Sequence, residues 1–176
     1  TGIKRGLVPP SATEGVVTLM RTLNATAAEV LKGFDVHGCT DVTGFGLLGH
    51  LREMAIASGC RVDVSVADVP VIPEARRLVG ADVVPGGTRR NLRFLEGYTD
   101  SGAVSVRDRL LLCDAQTSGG LLAAVPADEA TEAVEALRRR GVTEAAVIGT
   151  VGEAVATPDG GQAGVVLFLS AGPSRR

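Results

Sequence analysis

The sequence predicts an α+β fold: a layered domain with helices flanking a mixed, partly antiparallel sheet. Three observations lead there. Runs with a 3.6-residue apolar period and runs with two-residue alternation succeed one another without a strict βαβ rhythm. A turn signal, Pro158-Asp159-Gly160-Gly161, separates the last two strand-like runs and sets them antiparallel. No linker, repeat or low-complexity stretch divides the 176 residues, and a hydrophobic content of 45% can fill one core.

Taken in order, residues 1–10 form a lead-in strand or linker that stops at Pro9-Pro10. Ser11-Ala12-Thr13-Glu14 has the spacing of a capping box, followed by the apolar positions Val16, Val17, Leu19, Met20 and Leu23. Asn24 breaks that helix. Thr26-Ala27-Ala28-Glu29 opens a short second one that Gly33 closes, unless the two are one bent helix. Residues 36–39 are a short strand or an extended approach to the next motif. Leu47, Leu48, Leu51, Met54 and Ala55 share one helical face, and the helix ends near Ser58-Gly59.

Residues 61–67 alternate, with Val62, Val64 and Val66 on one side, as a half-buried strand does. Pro73 suits a helix start, with Ala75, Leu78 and Val79 facing inward. Residues 80–105 predict a long loop with short structured pieces, since Pro85-Gly86-Gly87-Thr88 is rich in turn formers. Within it Arg89, Arg90 and Arg93 are either a solvated face or a phosphate contact. Residues 106–112 are helical and 121–125 an apolar strand ended by Pro126. Asp128 caps a helix whose inner face is Ala130, Ala133, Val134 and Leu137. Strands follow at 145–151 and 165–169, and residues 172–176 fray.

Composition narrows the function. A net charge of −2 gives no push toward nucleic acid. No run of about 18 apolar residues suggests a membrane span. Cys39, Cys60 and Cys113 match no zinc spacing and cannot all pair, which suits a reduced, cytoplasmic setting. The start carries neither an initiator Met nor an apolar leader, so a processed or truncated start is expected.

Two turns stand out. The first is Thr40-Asp41-Val42-Thr43-Gly44-Phe45-Gly46, which runs directly into a helix; the second is Asp114-Ala115-Gln116-Thr117-Ser118-Gly119-Gly120. Hydroxyl- and glycine-rich turns present backbone N–H groups that hold phosphate oxygens. Asp41 is itself an anion, so a phosphate beside it requires a cation. Magnesium answers that need, because it is held by one or two carboxylates together with phosphate oxygens. The plainer reading is that Asp41 caps its own helix. Gly44-Phe45-Gly46-Leu47-Leu48-Gly49 matches GxGxxG as a string but lacks the preceding βαβ frame of a dinucleotide fold. No Walker A or HExxH spacing occurs, and the two histidines, His37 and His50, form no nucleophile–base pair, His50 being better placed at a surface or interface.

The segments Thr40-Asp41-Val42-Thr43-Gly44-Phe45-Gly46-Leu47-Leu48-Gly49-His50-Leu51 and Asp114-Ala115-Gln116-Thr117-Ser118-Gly119-Gly120-Leu121-Leu122 resemble the signatures of the selenophosphate synthetase (selenide, water dikinase) family. Leu23-Asn24, Pro85-Gly86-Gly87-Thr88 with Asn91, and Ile148-Gly149 add to the resemblance, which covers nearly the whole chain. The second motif is shared with aminoimidazole ribonucleotide synthetase, thiamine-monophosphate kinase and a hydrogenase maturation factor of the same superfamily. Cys39 stands where the family often has Ala, and Ala115 where it has Pro.

The resemblance is to a C-terminal half. It implies an α/β/α domain over residues 11–170, a lead-in over 1–10 from an N-terminal ATP-binding domain, and a frayed tail over 171–176. It implies conversion of ATP, selenide and water to selenophosphate, phosphate and AMP. The nucleophilic Cys or selenocysteine and a Lys would lie in the other half, leaving this fragment inactive alone. Asp41 would contribute to magnesium. Thr40, Thr43 and Gly44 would shape the first turn; Thr117, Ser118 and Gly119 would line or support the opposite wall. ATP is implied as substrate, Mg²⁺ as cofactor, and a homodimer as the complete state. The competing expectations are another ATP-dependent enzyme of the superfamily, or a non-catalytic docking module.

Overall fold

The computed structural model describes residues 1–153 and the backbone of the strand Leu167–Ser170. The helices are α1 (Pro10–Arg21), α2 (Ala25–Leu31), α3 (Gly46–Ser58), α4 (Pro73–Gly80), α5 (Gly86–Leu95), α6 (Val106–Leu112) and α7 (Ala130–Arg139). The strands are β1 (Gly38–Asp41), β2 (Arg61–Ser65), β3 (Thr99–Asp100), β4 (Leu121–Ala124), β5 (Gly149–Gly152) and β6 (Leu167–Ser170). The class is α+β, as predicted.

Two sheets form. β1 and β4 make an antiparallel ribbon that pairs Gly38 with Ala124 and Asp41 with Leu121. The other sheet has the order β3-β6-β2-β5. β6 runs parallel to both β2 and β3, and β5 antiparallel to β2. The last two strands therefore run oppositely, as expected, but are not hairpin partners, because β2 lies between them. The turn signal at 158–161 and the expected tail lie outside the described residues.

The core gathers where α3 meets β2. Leu48, Leu51 and Ala55 pack with Val62, Val64, Val66, Leu95, Leu112 and Leu122. This is the face the helical period marked, and Gly59 ends α3 in the left-handed region at φ 61°. The alternation of β2 places Val62 and Val64 inside, after which the chain tightens into a 3₁₀ turn at Val66–Asp68 that keeps Val66 buried.

Several local expectations gave way. The lead-in is no strand: it forms a 3₁₀ turn at Ile3–Arg5, and the Leu7 carbonyl accepts a 2.6 Å bond from Arg77 on α4. Pro9-Pro10 is a start, since Pro10 needs no donor at the first helical position. Neither expected capping box forms, because Ser11 and Thr26 lie inside their helices. Asp128 does not cap α7, whose N-cap is Glu129; that side chain accepts from the Asp35 N–H at 3.0 Å. Among the described residues the side-chain cap that forms is Ser105 on α6, which accepts from the Asp108 N–H. The apolar side of α1 buries no residue, and Leu23 just beyond it is 79% exposed.

The largest revision is in 80–105. The Gly-Gly segment opens α5 instead of a long loop, with Pro85 as N-cap. Tertiary contacts explain why the glycines do not unravel it. Thr88 is fully buried against Asp114, and Arg52 of α3 lies over the rings of Tyr98 and Phe94 at 3.8 and 5.0 Å. A guanidinium over an aromatic face is attractive, and it ties α3 to the end of α5.

Candidate functional site

The ribbon brings the two turns side by side. Beyond Asp41 the ladder continues: the Val42 N–H donates to Gly120 O at 3.0 Å, and the Gly119 N–H donates to Val42 O at 3.1 Å. One residue further, the Thr43 carbonyl accepts from both Gly46 and Gln116, each at 3.0 Å. The turns are thus stitched together through backbone atoms separated by some seventy residues of sequence.

Two glycines permit that approach. A Cβ on Gly119 would lie 2.3 Å from the Val42 carbonyl oxygen. Gly46, with φ at +70°, would place a Cβ 2.6 Å from the carbonyl carbon of Cys113. Gly44, by contrast, faces open space.

Two asparagines brace the arrangement. The amide of Asn91 donates to the carbonyls of Gly44 (2.9 Å) and Cys113 (3.1 Å), and that of Asn24 donates to the Gly119 carbonyl (2.9 Å). Thr88 donates its hydroxyl to the Asp114 carboxylate. The residue pattern could have flagged these polar groups through the motif fragments around them. Their partners lie 22 to 95 positions away, so spacing alone does not assign them.

His50 is a structural tie, not a free surface group. The Thr43 N–H and hydroxyl both meet its Nε2 at 3.0 Å, and its ring lies 5.7 Å from that of Phe45. Because a backbone N–H can only donate, Nε2 accepts and the proton sits on Nδ1. This holds the first turn against the helix that follows it.

Asp41 ends β1 on the exposed side of the ribbon. It does not cap α3, whose N-cap is Phe45 without a side-chain bond. Among the described residues its carboxylate has neither a hydrogen bond nor an ion pair. Thr40 turns its hydroxyl to the Asp41 carbonyl at 3.2 Å. Thr117 and Ser118 are exposed, with no side-chain partner among the described residues. Of Arg89, Arg90 and Arg93, the first is engaged with Asp82 at 2.6 Å. No group of three metal-ligating side chains occurs among the described residues, so Asp41 alone does not make a metal site. The cavity of about 250 Å³ is lined by Val66, Ala67, Arg76, Val104 and Asp108, none of which belongs to either turn.

Two thiols flank the turns. Burial pushes the Cys113 thiol from the usual 9.0 up to about 12; Arg109 opposes the shift and Asp114 adds to it. Partial burial, then the nearby Asp41 charge, raises Cys39. The thiolate is the reactive form, so a raised pKa slows alkylation at a given pH. We expect iodoacetamide to spare Cys113 in the folded chain and to label Cys39 faster in Asp41→Asn, as read by peptide mass. The sign for stability follows from the same shift: Cys113 costs nothing below about pH 9, and stability falls as pH rises from there toward about 12. A Cys113 that labels as fast as Cys39 in the native chain would refute this.

No helix among the described residues is long and apolar enough to cross a membrane. The frame of β1, α3 and β2 is not a dinucleotide-binding unit either, since β1 and β2 lie in different sheets.

The chain is 50% identical over 154 residues to a selenide, water dikinase of Pelobacter propionicus, covering 87% of this chain and 44% of that protein. It is 42% identical over 148 residues to one of Carboxydothermus hydrogenoformans, covering 84% and 43%. The chain thus spans less than half the length of these curated relatives. A crystal structure of the hydrogenase maturation protein HypE overlaps 76% of this chain and 34% of its own, at 25% identity and a TM-score of 0.45, too loose a likeness to argue from. The family described as AIR synthase related protein, C-terminal domain, matches residues 4–157, and the chain belongs to that family.

Proposed function

We propose that this chain is the C-terminal part of a selenide, water dikinase, which converts ATP, selenide and water to selenophosphate, phosphate and AMP. The observation that carries the reading is the Asp41 carboxylate, exposed and unpaired on the ribbon that joins both turns. The 50% identity to a selenide, water dikinase supports the substrate class. Phosphoryl transfer is chiefly positioning and charge neutralisation, and a triphosphate beside Asp41 needs a cation to be tolerated.

The residues fit a shared Mg²⁺ better than a private one. A single free carboxylate satisfies one ligand position, and Mg²⁺ normally completes its shell with phosphates, waters and another carboxylate. When bound, the ion would neutralise charge on the phosphates. Asp41 holds that charge in place. Thr40, Thr43 and Gly44 shape the first turn, with the Thr43 hydroxyl committed to His50. Thr117 and Ser118 offer hydroxyls to the nucleotide, while Gly119 keeps the second turn close enough for them to reach it. The remaining magnesium ligands, carboxylates of Asp residues, come from an N-terminal domain that residues 1–10 lead in from, as do a Lys and the nucleophile, Cys or selenocysteine. The domain proper is 11–170, and the complete protein is a cytoplasmic homodimer.

The test is complementation. The chain is co-expressed with the N-terminal half of the Pelobacter propionicus relative, and AMP release is measured with and without selenide. Neither half alone should release AMP; together they should, only with selenide and Mg²⁺ present. ADP as the sole nucleotide product, or turnover indifferent to selenide, would instead favour another ATP-dependent enzyme of the superfamily.

A further inference from the structure

The geometry points to Asn91 as the positioning residue that sets the spacing between the two turns. Its side-chain amide bridges the first turn and the entry to the second: one N–H goes to the Gly44 carbonyl at 2.9 Å and the other to the carbonyl of Cys113, the α6 cap directly before Asp114, at 3.1 Å. Both acceptors are carbonyl oxygens, so the nitrogen must face them and the amide orientation is settled by chemistry. Asn24 braces the Gly119 carbonyl alone and so holds one turn without spanning the two. Asn91 is in turn anchored by α5, whose Thr88 is buried against Asp114 of the second turn.

The strut acts beside the last backbone bond between the turns, Gln116 N–H to Thr43 O. On that side of the ribbon the Gln116 N–H reaches the Thr43 carbonyl, and Gly46 lies on the Cys113 backbone. Removing the Asn91 amide leaves two carbonyls without their donor and frees residues 43–46 to part from 113–116. Asp replacing Asn goes further, since it sets a negative acceptor against two carbonyl oxygens. The structural part stands on hydrogen bonds alone; its meaning for catalysis rests on the proposed function.

Amide hydrogen exchange on the 176-residue chain tests it without substrate. In Asn91→Ala the Gln116 amide should exchange about tenfold faster than in the parent. In Asn91→Asp the increase should be larger. The Ser65 amide, bonded to Ile148 O in the distant sheet, serves as reference and should stay within about twofold. Asn24→Ala should leave Gln116 near its parent rate. Gln116 unchanged in Asn91→Ala, or accelerated no more than Ser65, overturns the proposal, the latter because it signals general loss of stability. Should Asn91→Asp not fold, the alanine variant decides. In the complemented enzyme Asn91→Ala should raise KM for Mg·ATP more than it lowers kcat. A fast Gln116 together with no selenide-dependent turnover in the parent enzyme would sustain the strut and reject the activity.

Discussion

Replacing Gly46 with Ala should destabilise the chain by about 3 kcal/mol or more, the largest effect expected of any single methyl added to the site. Two costs combine there. The residue holds φ at +70°, where a side chain is strained, and the new Cβ would meet the Cys113 carbonyl carbon at 2.6 Å. The three nearest atoms all belong to the backbone of Cys113 and Asp114, so no side chain can swing aside.

Three other glycines separate the causes. Gly119→Ala has the contact without the strained angle, with the Val42 oxygen at 2.3 Å, and should cost about 1–3 kcal/mol. Gly59→Ala has the angle, φ +61°, in open space, and should cost about 1 kcal/mol. Gly44→Ala has neither and should stay within about 0.5 kcal/mol. Urea denaturation of the four variants gives the order. If Gly46→Ala proves no worse than Gly59→Ala, the two turns do not press together as described.

Asp41→Asn in the complemented enzyme should lower Mg²⁺-dependent AMP formation by about 10²-fold or more, since it removes the charge but keeps the shape. The same change should leave the stability of this chain within about 0.5 kcal/mol. The register of β1 against β4 is set by backbone bonds, and the carboxylate is exposed with no partner among the described residues to lose. That split matters, because a residue serving the fold would move stability as well as turnover. Retention of most activity at saturating Mg²⁺ would remove Asp41 from the metal and leave the two turns as a nucleotide cradle at most.

These two sites were unequally visible in the chain. Asp41 and the two turns stood out because hydroxyls, a carboxylate and glycines cluster within a few residues. The reason Gly46 and Gly119 must be glycine did not, since it lies in backbone atoms dozens of positions away. The GxGxxG string is rightly set aside for want of a βαβ frame, and the pairing of β1 with β4 gives the structural reason.

By itself the sequence determined the elements whose cause is local. The apolar period of α3 and its glycine stop, the alternation of β2, and the helix begun at Pro73 all follow from neighbours within one or two turns of chain. Tertiary structure alone decided the rest. It made Gly86–Leu95 a helix by burying Thr88 against Asp114, placed β2 between the last two strands, and turned Asn24, Asn91 and His50 into braces for the turns. A side-chain amide or a methyl-sized gap takes its meaning from what stands opposite it, and only the folded chain supplies that partner.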